Sequence, residues 1–240
     1  MTNFELLFLY TIIDFFIAFL AYRLFGKKGL IVFIIISVIA ANIQVNKGID
    51  YSVFGYTFSA TMGNVMFGGI FLANDLLNEK YGKDEARKAV FISIFAGLSF
   101  VVLMCFSTLY QSITSDEYYK NTNEAMDLFF SINGGALKAI IIGNLVYLIS
   151  QLFDVFIYAR FKSYNSELKW LWLRNSGSTA ISQLIDTTLI TYGFAFAGII
   201  PMEYALEMVF TTLLIKYIVT VINSPLFYLI AFVKPSKRFI

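Results

Sequence analysis

The stretch "FELLFLYTIIDFFIAFLAYRL" (Phe4–Leu24) decides the fold. Apart from Glu5, Asp14 and Arg23 it carries no charge. As a helix rising about 1.5 Å per residue it is long enough to cross roughly 30 Å of hydrocarbon. No basic segment precedes it and no small-residue cleavage site follows, so it reads as a retained span and not as a signal peptide.

Runs of the same kind recur along the 240 residues, which are 58% hydrophobic and 14% charged. Mean hydropathy is +0.72. A soluble domain is about half apolar and about a quarter charged. The expected fold is therefore all-α: a polytopic helical membrane protein, with residues 1–240 forming a single transmembrane domain. Seven spans are predicted, at Phe4–Leu24, Leu30–Val45, Phe58–Leu77, Ala89–Tyr110, Gly135–Tyr158, Ser178–Ile200 and Leu206–Val233, with six as the alternative count. Pro225 predicts a kink or break in the last.

Two absences narrow the chemistry. Histidine is missing altogether, which removes imidazole bases and ligands. Cys105 is the single cysteine, which removes internal disulfides and thiolate metal clusters. No ATP-binding loop is present and no cofactor is expected. A net charge of +2 gives no reason to expect a nucleic-acid partner. The expected partners are the lipid bilayer and a small molecule; a homodimer is left open.

Lysine and arginine sort between alternate loops. One side collects Arg23, Lys27, Lys28, Lys80, Lys83, Arg87, Lys88, Arg160, Lys162, Lys169, Arg174, Lys234, Lys237 and Arg238; the other has Lys47 and Lys120, with Lys138 near a helix start. The positive-inside rule places the rich side in the cytoplasm. The protein is thus expected in the cell membrane with its N-terminus outside and its C-terminus cytoplasmic. The acidic segment 111–134 then lies outside.

Charges at mid-bilayer cost roughly 2.5–3.5 kcal/mol each on insertion scales, so those retained have a reason to be there. Four predicted helices each own one polar stripe at steps of three and four. They are Asn64, Gly68, Phe71, Asp75 and Glu79; Asn144, Tyr147, Gln151 and Asp154; Ser178/Thr179, Ser182/Gln183, Asp186/Thr187 and Thr191; and Thr212, Lys216, Thr220 and Asn223. Such faces escape lipid only by meeting each other or a wet cavity. A buried Lys216 would need one of the intramembrane aspartates as partner.

Two of these stripes contain nearly the same pentapeptide, "SQLFD" (Ser150–Asp154) and "SQLID" (Ser182–Asp186). On antiparallel neighbours both copies fall at matching depth, roughly 6–12 Å from the inner helix ends. They can converge on one site through a local pseudo-twofold, as in transporters built from repeats. Chance repetition and plain helix–helix hydrogen bonding are the competing explanations. A carboxylate accepts two N–H bonds from a guanine-like edge, and a carboxamide reads a carbonyl beside an N–H.

Three segments carry a resemblance. "ANDLLNEKYGKDEARKAV" (Ala73–Val90), "WLRNSGSTAISQLIDT" (Trp172–Thr187) and "LLIKYIVTVINSPLFYLI" (Leu213–Ile230) occur in this order. Together they resemble the signatures of the queuosine precursor transporter family, over most of the chain. The stretch "GNVMFGGIF" (Gly63–Phe71) departs from it, lacking the Phe-Pro pair of many members. The resemblance implies uptake of a 7-deazaguanine base: the 7-cyano or 7-aminomethyl precursor, or queuine. It points to Asp75, Glu79, Arg174, Ser178, Gln183, Asp186 and Lys216 as substrate-binding positions, beside Asn144, Gln151 and Asp154 from the stripes. It implies that Asp186 and Gln183 read the base edge and that Asp75 or Glu79 neutralises an aminomethyl group. For Glu79 and Arg174 an ion pair clamping two loops is the simpler alternative.

Two rival functions are weighed. An intramembrane aspartyl protease would use Asp154 and Asp186 as a dyad, but Asp186 follows "QLI" and not a Gly-x-Gly signature. A membrane substrate-binding subunit would need a separate energising complex, and uptake by this chain alone separates the two.

Overall fold

The computed structural model describes residues 1–53, 56–113 and 115–236. Helix α1 (Asn3–Gln44) opens on a capping box in which Thr2 and Glu5 satisfy each other's backbone N–H. Glu5 is thus a cap and not a charge buried in a span. The first two predicted spans are the two arms of α1, residues 3–25 and 27–44, broken only at Gly26. Its φ of 58° and ψ of −134° leave the helical region and suit a residue without Cβ. The arms fold back on each other. Gly29 presses on the Ala21 carbonyl, and at the far end Gln44 Nε2 donates to the Tyr10 hydroxyl at 2.9 Å.

Strands β1 (Gly48–Val53) and β2 (Tyr56–Thr61) then form an antiparallel hairpin in the register Gly48↔Thr61. The third span was expected to begin at Phe58. That position belongs instead to β2, where aromatic and β-branched residues recur in "YTFSAT". Tyr51 and Ala60 pack with Leu7 and Ile215, so the hairpin is pinned to α1 and to the C-terminal helix.

Helix α2 (Asn64–Tyr81) ends at Gly82, whose φ of 90° turns the chain at once into α3 (Lys83–Ser107). Asp84 and Glu85 favour that start, being acidic residues in a first turn. The segment expected only as an outer loop contains α4 (Glu117–Phe130), capped by the Asp116 carboxylate on the N–H groups of Tyr118 and Tyr119. Next come α5 (Gly135–Tyr164), a 3-10 turn (Leu168–Trp170) and a π turn (Leu173–Gly177) that runs directly into α6 (Ser178–Phe196). Last is α7 (Ala205–Phe232), which passes Pro225 as one helix and is not broken there.

The fold is all-α apart from the hairpin. Among the described residues α1, α3, α5 and α7 lie in runs long and apolar enough to cross a membrane. Large apolar side chains such as Phe95, Leu103, Phe196 and Val221 are widely exposed, as suits a surface solvated by lipid. Helix α2 is the central element, buried from Asn64 to Asn78 except at Phe67.

Basic residues from separate turns gather at one end. Arg23 donates to the Lys234 carbonyl at 2.8 Å, Lys27 pairs with Glu85 at 2.9 Å, and Arg174 pairs with Glu79 at 3.0 Å. Lys237 and Arg238, assigned to the same side, lie outside the described residues. At the other end Asn3 donates to the Asp50 carbonyl of β1 at 2.8 Å.

Candidate functional site

The four polar stripes meet inside the bundle. On α6 the buried residues Ser178, Thr179, Ser182, Gln183, Asp186, Thr187 and Thr191 follow the helical period, as do Thr212, Lys216, Thr220 and Asn223 on α7. Asn144, Tyr147, Gln151 and Asp154 of α5 are buried as well, and so is Asp75 of α2.

At the centre Lys216 Nζ donates to Asp186 Oδ2 at 2.6 Å, and Ser150 Oγ donates to Asp186 Oδ1 at 2.8 Å. Lys216 also stands 5.6 Å from the centre of the Phe67 ring. Asp186 and Lys216 border a narrow cleft that runs past Asn64, Thr191 and Thr212 toward Thr61 and Ile200, at the hairpin end of the bundle. Gln183 accepts from Thr220 at 3.1 Å, which leaves its Nε2 without a partner.

Deeper lies a second polar layer. Asn74 Nδ2 donates to Gln151 Oε1 at 2.8 Å, and Gln151 Nε2 is unpartnered. Asp75 Oδ2 accepts from Asn175 at 2.6 Å and Thr179 at 3.4 Å. Its Oδ1 is unpartnered. Asp154 neighbours Asp75, Ser178 and Ser182, yet no hydrogen bond closes on either of its oxygens.

The two pentapeptides therefore cross. Ser150 of the first copy binds Asp186 of the second, and Ser182 of the second stands against Asp154 of the first. Antiparallel neighbours related by a local twofold would show this exchange.

A third layer closes the basic end. Glu79 pairs with Arg174 at 3.0 Å and Lys162 at 3.5 Å, and accepts from the Tyr158 hydroxyl at 2.8 Å. Arg174, only 1% exposed, also donates to the carbonyls of Asn165 and Glu167. Lys162 caps the carbonyls of Asn78 and Glu79 at the end of α2. Of the two roles open to Glu79 and Arg174, substrate ligand or ion pair, their geometry is that of the ion pair.

Asn144 sits apart, donating to the Ile140 carbonyl and accepting from Asn42 of α1 at 3.3 Å. Ser178 donates to the Asn175 carbonyl at 3.2 Å. Asp154 and Asp186, the dyad of the protease alternative, make no pair: Asp186 is closed by Lys216, and the carboxylate facing Asp154 is Asp75. Sequence reasoning missed Ser150, Asn74 and Asn175 as partners of the acids. Each is a polar residue beside or within a quoted motif, and that was the available signal.

Residues 61–230 match the family described as "Putative vitamin uptake transporter". The chain belongs to that family. It is 40% identical over 220 residues to a Bacillus subtilis (strain 168) protein named "Probable queuosine precursor transporter", with 91% of this chain and 90% of that protein covered. A Haemophilus influenzae protein of the same name is 28% identical over 144 residues, covering 59% of this chain and 54% of its own length. No solved structure matches. As a member of this transporter family the chain moves a solute and is not an enzyme. The matched region contains every residue of the second and third layers and all but Asn42 and Val45 of the cleft lining.

Proposed function

We propose that this chain imports queuosine precursors, that is 7-deazaguanine bases, across the cell membrane, with its N-terminus outside and its C-terminus cytoplasmic. The observation that carries the reading is the set of unpartnered groups between the crossed pentapeptides. Gln151 Nε2 and Gln183 Nε2 are free donors, buried where a missing hydrogen bond costs roughly 1–3 kcal/mol, and Asp186 beside them supplies the acceptor carboxylate. A 7-deazaguanine edge complements such a set. Its ring N–H and exocyclic amine donate to a carboxylate, and its carbonyl accepts from a carboxamide. The likeness to the Bacillus subtilis relative supports the same substrate class.

In this reading the base enters the cleft at the hairpin end and meets Asp186 first, with Gln183 about one turn further along α6. Asp186 holds Ser150 and Lys216, one on each oxygen, and each oxygen keeps a further lone pair for the base. Lys216 supplies the counter-charge that a buried carboxylate needs. Gln151, the residue after Ser150 on α5, is the next donor inward. In the same reading the Glu79–Arg174–Lys162 layer closes the cytoplasmic end of the path.

Uptake by proteoliposomes containing this chain alone tests the proposal. Labelled 7-cyano- or 7-aminomethyl-7-deazaguanine should enter saturably, and unlabelled 7-deazaguanines should compete where adenine does not. Failure of both bases to enter or to exchange would overturn it. Uptake that requires added subunits would assign the chain to the binding-subunit class instead.

A further inference from the structure

The two halves of the crossed motif differ in one respect. Asp186 has Ser150 on one oxygen and the Lys216 ammonium on the other. Asp154, its counterpart, has Ser182 beside it and a second acid, Asp75, where the cation would be. Both acids are 0–1% exposed. Asp154 Oδ1 and Oδ2, Asp75 Oδ1 and Ser182 Oγ all lack hydrogen-bond partners. The fully buried Ser182 hydroxyl faces Asp154 with its bonding capacity unused. Two buried carboxylates facing each other without a donor between them repel, and low dielectric magnifies the repulsion.

Within the three polar layers the acids outnumber the cations by one. On α2 the nearest other ionisable group is Glu79; on α5 they are Tyr158 and Lys162; on the π turn before α6 it is Arg174. Across α6 stands the Asp186–Lys216 pair. Asp14 of α1 lies against Gly69, about 9 Å along α2 from Asp75 at 1.5 Å per residue. Four carboxylates, Asp75, Glu79, Asp154 and Asp186, therefore meet three cations, Lys162, Arg174 and Lys216. Tyr158 already donates to Glu79 and adds no charge. One further positive charge makes these three layers neutral, with Asp14 lying outside them against Gly69.

We propose that Asp75 and Asp154 bind a single exchangeable proton, held in common, and that this proton crosses the membrane with the substrate. The inference rests on the transport reading above. The proton arrives from the outer side, sits as a carboxyl hydrogen between the facing oxygens, and leaves on the inner side, restoring the charged pair. No bond other than O–H forms or breaks. Through the bond between Ser150 and Asp186, α5 and α6 link this pair to the outer cleft, so occupation of one layer is felt by the other.

The test uses the full chain in proteoliposomes, with the membrane potential clamped. Wild-type uptake of 7-aminomethyl- or 7-cyano-7-deazaguanine should rise with an inward proton gradient, reaching up to about tenfold accumulation per pH unit for one proton per base. Asp154→Asn and Asp75→Asn should lose this dependence, whatever exchange of labelled base they retain, and a variant that still accumulates base with the proton gradient would overturn the shared proton. Infrared spectra should show a protonated-carboxyl C=O band in the wild type that disappears in both variants. Exchange without any response to the proton gradient would overturn the proton and leave the transport reading standing. Uptake driven by a sodium gradient alone would replace the proton by a metal cation. Should no base move at all, the transport reading fails and the infrared band alone decides: present in the wild type and lost in both variants supports the proton, absent from the wild type overturns it. Where an Asn variant fails to reach the membrane, Asp154→Glu takes its place, with the carboxyl band and the gradient response both retained.

Discussion

Ser150 Oγ donates to Asp186 Oδ1 at 2.8 Å, joining the first residue of one pentapeptide to the last residue of the other. Helices α5 and α6 are thereby locked in depth as well as in rotation. The reciprocal contact of Ser182 with Asp154 lacks a formed hydrogen bond, so the two serines have unequal work to do. Removing the Ser150 hydroxyl takes a bond from a buried charge, at about 1.5–3 kcal/mol. Ser182→Ala removes no bond made in this state. Thermal melting in detergent should rank Ser150→Ala clearly below Ser182→Ala, and equal melting points would contradict the asymmetry.

Asp186→Asn should abolish uptake and also destabilise the protein. The substitution leaves the Lys216 ammonium, 2% exposed, without its counter-charge. Breaking one side of a buried pair costs about 3–5 kcal/mol, whereas removing both sides is often neutral. Asp186→Asn with Lys216→Met should therefore regain most of the lost stability and none of the uptake. A double variant that melts as low as the single one would show that Lys216 draws its stability from elsewhere.

Glu79→Gln should loosen the basic end. Arg174 would keep its two backbone carbonyls but lose the one carboxylate it touches. The expected readout is thiol labelling at Ser176→Cys in a Cys105→Ala background, several-fold faster when Glu79 is also changed. Unchanged labelling would mean that the ion pair does not hold this end shut.

Gly26→Ala and Gly82→Ala should each cost about 1–3 kcal/mol, the usual range for a side chain held at an unfavourable backbone angle. At Gly82 an added Cβ meets nothing within 4 Å, so the penalty there is purely conformational. Melting curves check both. A neutral Gly82→Ala would imply that the α2–α3 corner relaxes into another turn.

A tag at the C-terminus carrying a cysteine, in the Cys105→Ala background, should resist impermeant thiol reagents in intact cells. Rapid labelling would reverse the proposed orientation.

Much of the bundle is legible in the sequence because polar residues stand out sharply against apolar runs. Thr212, Lys216, Thr220 and Asn223 could be placed on one face by spacing alone, and the structure buries all four. The partner of Lys216 could be narrowed to an intramembrane aspartate on charge grounds. Which one depends on how α6 and α7 are rotated against each other, and local pattern carries no such information. In the sequence the β1–β2 hairpin looks like loop and helix start, because two six-residue strands are too short for alternation to be distinctive. Helix α4 escaped for the opposite reason: it is polar enough to resemble a plain loop, and its Asp116 cap was the overlooked signal. The crossing of Ser150 to Asp186 follows from a repeat that was visible, but only the packed pair of helices shows which serine meets which acid.

The burial of α2 has a consequence for how the protein is made. Among the described residues this helix falls outside the runs long and apolar enough to cross a membrane, and its interior carries Asn74, Asp75 and Asn78. Their partners, Gln151, the Val155 carbonyl, Asn175 and Thr179, lie 77 to 104 residues further along the chain. When α2 leaves the ribosome nothing yet exists to receive those groups. The nascent segment must wait at the insertion machinery, or beside its lateral gate, until the later helices arrive.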